Sequence, residues 1–141
     1  MAVSACGTSG EGTSSVSPSP SASPSPGTIT FKLSGVNNAT TLGSIALSAR
    51  PGSVSIELVI SGLQANSVHV SHIHIGSCQQ RGIIARALNP VVADAQGNAD
   101  VRSTINATYP PTNETWYVVV HAGPDMQGSN ATYLLCGNLF A

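Results

Sequence analysis

From Val54 to Ile60 the chain alternates. Val54, Ile56, Leu58 and Ile60 are apolar, and Ser55, Glu57 and Val59 fall between them. A β-strand sends successive side chains to opposite faces, so this segment predicts a strand with one face in a core. Similar short runs recur, separated by turn signals every 8–12 residues, the spacing of a sandwich or barrel. The strands expected are Thr28–Ser34, Gly43–Ala49, Val54–Ile60, Val68–Ile75, Ile83–Leu88, Ala99–Ile105, Trp116–His121 and Thr132–Leu139. Arg50-Pro51-Gly52 and Asp94-Ala95-Gln96-Gly97 are turns, and Tyr109-Pro110-Pro111-Thr112-Asn113 is a loop. No long stripe of period 3.6 is present. The fold expected is an all-β, eight-stranded antiparallel Greek-key sandwich or barrel.

The four histidines are unevenly placed. Three lie within six residues, at His69, His72 and His74, and the fourth, His121, ends the run Trp116-Tyr117-Val118-Val119-Val120-His121. On a strand, His72 and His74 share a face, while Ile73 and Ile75 point to the other. Two imidazoles on one rigid face and a third from a distant strand make a nitrogen-rich site suited to copper or zinc. A His-x-His pair alone is weak evidence, because a strand histidine is commonly just a polar residue on a wet face. Here charged residues are only 8% of the chain, against about 25% in ordinary domains, which makes the clustering more telling.

The charge balance also narrows the function. Net charge is −1 and Lys32 is the single lysine. No basic patch is available for nucleic acid. No apolar run approaches the roughly 18 residues of a membrane-spanning helix.

Residues 7–27 differ from the rest. Thr13 to Gly27 consists of Ser, Pro, Thr, Ala, Val and Gly, with a Ser-Pro rhythm. Such a segment buries too little apolar area to offset its ordering entropy and is expected to be a disordered tether. Before it, Val3-Ser4-Ala5-Cys6-Gly7 resembles a bacterial lipobox, in which the cysteine is acylated. That resemblance makes residues 1–6 the remnant of a lipoprotein signal, Cys6 a lipidation site, and residues 28–141 the folded domain. It implies a location outside the cytoplasm, on the bacterial cell envelope, with membrane attachment only through the lipid. Were Cys6 acylated, Cys78 and Cys136 would remain as a pair. They are compatible with a disulfide in an oxidising compartment, with two buried thiols, or with a thiolate metal ligand. The four Asn-x-Ser/Thr sequons, at Asn38, Asn106, Asn113 and Asn130, are expected to be unmodified in such a lipoprotein.

Several segments together resemble one family. His69-Val70-Ser71-His72-Ile73-His74 is similar to the His-Gly-Phe-His-Val-His segment of copper/zinc superoxide dismutases. Ala93-Asp94-Ala95-Gln96-Gly97-Asn98-Ala99 is similar to their Ala-Asp-x-x-Gly-x-Ala hairpin. Val119-Val120-His121, followed by Asp125 and Gly128, is similar to their Val-Val-His-x-x-x-Asp-Asp-x-Gly run, and Leu135-Cys136-Gly137-Asn138-Leu139 to their closing Ala-Cys-Gly-Val-Ile. The resemblance spans about residues 28–140. His-Ile-His-x-Gly also resembles CHRD domains, a related group on the same general sandwich.

This resemblance implies that His72, His74 and His121 are copper ligands. It implies that His69 braces a ligand-bearing loop, that Asp125 orients metal-bound imidazoles, and that Cys78 and Cys136 form a disulfide. The departures are equally specific. From Cys78 to Asp94 there is no histidine, so the family's bridging and zinc histidines are missing. A copper-only site is implied, and zinc is not. The family's anion-guiding arginine is replaced by Tyr133; Arg81, in the loop after Cys78, offers a positive charge, but not at the family's position. The expectation is an exported copper-binding domain with weak or no superoxide dismutation. The alternative is a CHRD-like, non-catalytic envelope domain without metal.

Overall fold

The structure, a computed structural model, describes residues 27–37 and 40–141. The expectations for Cys6, the tether and the Asn38 sequon lie outside the described residues. Ten strands run along the chain: β1 Thr28–Gly35, β2 Leu42–Arg50, β3 Ser53–Ser61, β4 Val68–His69, β5 Ser71–Ile75, β6 Ile84–Ala87, β7 Val91–Val92, β8 Ala99–Ile105, β9 Trp116–His121 and β10 Tyr133–Asn138. The domain is all-β as expected. Among the described residues there is no α-helix, only one turn of 3-10 helix at Gly128–Ala131.

Eight strands form one antiparallel sheet in the order β6-β5-β9-β10-β1-β2-β3-β8, and β4 pairs separately with β7. Hairpins link β1, β2 and β3. The chain then leaves for β4 and β5, and β8 returns beside β3, which is a Greek-key path. The sheet curls until its two end strands nearly meet. The seam between them is bridged at one residue, Asn89, and not by a backbone ladder. Asn89 donates its amide N–H to Ser103 Oγ (2.8 Å) and its Nδ2 to the Arg102 carbonyl (2.8 Å), while its own carbonyl accepts from Ser71 Oγ (3.0 Å).

The alternating residues fill the interior as the period-two reading requires. Leu33, Ile45, Leu47, Val54, Ile56, Leu58 and Ile60 are buried together with Ile73, Val118, Val120 and Leu135. Strand β9 is buried along its whole length. Trp116, Val118 and Val120 join the main core, whereas Tyr117 and Val119 form a second cluster with Cys136, Cys78, Val36 and Tyr133. The outer face of β9 is therefore covered too, and its sequence reads as an apolar run without alternation.

Two expected strands differ in detail. Val68–Ile75 is not continuous. Val70 donates its N–H to the Gly123 carbonyl (3.0 Å) and accepts from the His121 N–H (2.9 Å), so the segment divides into β4 and β5. Ile83–Leu88 shortens to β6, and a further pair of residues, β7, follows Pro90.

Candidate metal centre

Register brings the histidines together. In the β5–β9 pairing His72 stands opposite Val119 and His74 opposite Tyr117, while Ile73 pairs with core residue Val118. His72, His74, Tyr117, Val119 and His121 thus share the outer face of the sheet. Tyr133 on β10 lies opposite His121. One nitrogen from each of His72, His74 and His121 lies within 4.8 Å of the others. The cluster is enclosed: His74 and His121 are buried, and His72 is half-buried.

The hydrogen bonds identify which nitrogens are free. His74 Nδ1–H donates to the Gly82 carbonyl (2.9 Å), and His121 Nδ1–H donates to the Ala131 carbonyl (2.8 Å). A carbonyl only accepts, so both rings carry their proton on Nδ1 and turn Nε2 inward. His74 Nε2 is buried and has no hydrogen-bond partner. A bare nitrogen lone pair in the interior is costly unless something takes it. His121 Nε2 faces His72 Nδ1 at 3.1 Å. A metal bonded at about 2 Å to three imidazoles holds their nitrogens roughly 3–4 Å apart, so only a small contraction of this cluster is needed. The residues present therefore fit a metal of the copper or zinc type, bound through His72 Nδ1, His74 Nε2 and His121 Nε2.

Burial, followed by the proximity of His121 and His74, lowers the pKa of His72 to about 4. Burial also lowers that of His121, against the opposing bond to Ala131. Both rings are thus uncharged near neutral pH, the state that ligates.

Gly82 is the anchor of this arrangement. Its carbonyl holds His74, and its N–H donates to the Tyr117 hydroxyl (2.7 Å). A Cβ at Gly82 would collide with the Ile75 carbonyl oxygen. The loop carrying Gly82 is tied down by the Cys78–Cys136 disulfide (S–S 2.08 Å, Cα–Cα 6.0 Å) and by Cys78 N–H donating to Asn138 Oδ1 (2.8 Å).

Tyr133 walls one side of the cluster. Its ring centroid lies 5.5 Å from that of His121 and 5.7 Å from that of His74, and its hydroxyl pairs with that of Tyr117 (2.8 Å). Burial, with that hydrogen bond, raises its pKa, so the phenol stays protonated. Over the ring, 4.0 Å from its centroid, sits the guanidinium carbon of Arg81.

His69 stands apart from the three-histidine cluster. It is buried, donates from Nδ1 to the His121 carbonyl (2.8 Å), and faces Ser67 Oγ through Nε2 (2.8 Å). It thus grips the backbone of a cluster residue and supplies no nitrogen to the cluster. Asp125 requires a correction. Its carboxylate makes no hydrogen bond to any imidazole. Oδ1 accepts from Gln127 N–H (2.9 Å) and Asn130 Nδ2 (2.9 Å), bonds that lower its pKa at a fully exposed position. The two imidazole N–H groups go instead to backbone carbonyls, which carry no residue-type signature. Asp125 thus ties together Gln127 and Asn130, in the segment that precedes Ala131.

No protein-family model and no curated protein sequence matches the chain.

Proposed function

We propose that this domain is an exported copper-binding module of the superoxide dismutase-like type, with weak or no superoxide dismutation. The observation that carries the reading is the convergence of three imidazole nitrogens around an unpartnered, buried His74 Nε2. The barrel and the motif set around His72, His74, His121 and Cys136 support the family assignment. Copper is favoured over zinc because the stretch from Cys78 to Asp94 lacks the histidines with which the family it resembles holds zinc. Among the described residues, no second group of His, Cys, Asp or Glu has ligand geometry.

Bound copper would supply one-electron chemistry toward a small oxidant or reductant such as superoxide. The chain's own contribution is to hold the ligands. Gly82 and Ala131 set the tautomers of His74 and His121, and Tyr133 restricts approach from one side. With no bridging histidine, no residue of the cluster is placed to deliver a proton on release from a second metal. Protons then come from solvent, and dismutation is slow. The disulfide fits an oxidising compartment, and a lipid anchor at Cys6 would hold the domain at the envelope surface.

One contact favours the metal-free alternative, a CHRD-like envelope binding domain. His72 Nδ1 and His121 Nε2 can satisfy each other at 3.1 Å. Metal analysis of the purified chain, followed by copper titration with electron paramagnetic resonance, separates the two. One equivalent of copper with nitrogen hyperfine structure is expected, and no binding at micromolar copper overturns the proposal.

A further inference from the structure

The surroundings of the three imidazoles are electrically one-sided. Their outward hydrogen bonds go to neutral groups, the carbonyls of Gly82 and Ala131. A carboxylate in those positions would raise ligand basicity and favour higher metal charge. Asp125, the carboxylate that the resemblance puts forward for that role, is engaged in its own turn. The charge that is held against the cluster is positive. Arg81 stacks on Tyr133, whose ring touches the surroundings of both His74 and His121. Among the described residues the one ion pair is Arg102 with Glu57, so no carboxylate neutralises Arg81. The successive ring contacts keep the guanidinium within roughly 10 Å of the cluster, about one Debye length at 0.1 M ionic strength.

We propose that Arg81 tunes this centre toward a singly charged metal ion, copper(I), and against copper(II). The inference rests on the copper-binding reading above. It assigns Arg81 a positioning role: the stack on Tyr133 fixes where the charge lies, and the charge acts on the metal through space. Repulsion scales with the charge of the bound ion. At about 10 Å and an effective dielectric between 20 and 80, each unit of metal charge costs a factor of roughly two to fifteen in affinity. Copper(II) carries one unit more than copper(I) and is penalised by that factor relative to it. Three imidazoles without an anionic ligand also suit the lower oxidation state, since nothing in the donor set offsets a second positive charge.

The test uses the full chain and measures copper(I) affinity, anaerobically against a chromophoric chelator, and copper(II) affinity by competition. Wild type, Arg81→Gln, Arg81→Glu and Arg81→Lys are compared at low and physiological salt. Arg81→Gln should strengthen copper(II) binding more than copper(I) binding, by roughly two- to fifteenfold. Arg81→Glu should extend the change in the same direction, Arg81→Lys should return toward wild type, and added salt should shrink all differences. Equal shifts for both ions, or none, overturn the inference while leaving copper binding intact. A wild-type chain that binds neither ion overturns the copper reading itself, and this inference with it.

Discussion

His69 offers the sharpest test of how the site is supported. Its ring is 4% exposed and bridges two segments, with Nδ1 donating to the His121 carbonyl and Nε2 facing Ser67 Oγ. In His69→Ala the His121 carbonyl loses its donor inside the protein, a loss of about 1–3 kcal/mol. The space of the imidazole adds a cavity cost, which for large-to-small core changes brings totals to roughly 2–5 kcal/mol. We take about 3 kcal/mol as the central value, a fall in melting temperature of roughly 10–15 °C for a domain of this size. His69→Gln, whose amide can donate to the same carbonyl, should recover part of that loss. Urea unfolding of the metal-free chain measures the stability change, and copper competition measures the site. Copper stoichiometry should survive, because the His121 ring is held independently by Ala131. A stability loss below about 1 kcal/mol would refute the bracing role. Loss of copper from a folded His69→Ala protein would show that the ligand trio is wrong.

Three further outcomes are expected. Reducing the Cys78–Cys136 bond, which joins residues 58 apart, should lower stability by about 4 kcal/mol on the chain-entropy model; urea midpoints with and without reductant measure it, and an unchanged midpoint would contradict it. The folded pKa of His72 lies near 4, below its ordinary 6.5, so protonation favours the unfolded chain. Metal-free stability should be full above about pH 6.5 and decline as pH falls toward 4, flattening in His72→Gln; a wild-type profile already flat between pH 7 and 4.5 would refute this. Superoxide dismutation by the copper-loaded chain should be far below the diffusional ceiling of about 10⁹ M⁻¹s⁻¹ even at low salt, and a rate near that ceiling that slows with salt would overturn the weak-activity reading.

Much of this architecture is legible in the residues because one physical rule governs it. Strand β3 shows its buried face directly, since Val54, Ile56, Leu58 and Ile60 alternate with partly exposed neighbours. The same rule places His72 and His74 on one face and Ile73 in the core. Features set by tertiary contacts are not legible. The break at Val70 comes from a bond to Gly123, more than fifty residues on. The partners of His74 and His121 are carbonyls, which every residue possesses, whereas the family resemblance pointed to the carboxylate of Asp125. Tyr133 read only as the absence of an arginine. Its role as a wall that carries Arg81 depends on the β9–β10 register and the path of the disulfide loop.

The seam closed by Asn89 has a dynamic consequence. Strands β6 and β8 each lack a full ladder on one side, and the hydrogen bonds of a single asparagine bridge the gap. Low-energy breathing of the barrel should start along this line, seen as fast amide hydrogen exchange in β6. The three clustered histidines lie on β5 and β9, each paired on both sides. The barrel can therefore fluctuate open at its weakest edge while the imidazole geometry keeps its register. Such a centre would hold its shape through thermal motions that would loosen a loop-borne site.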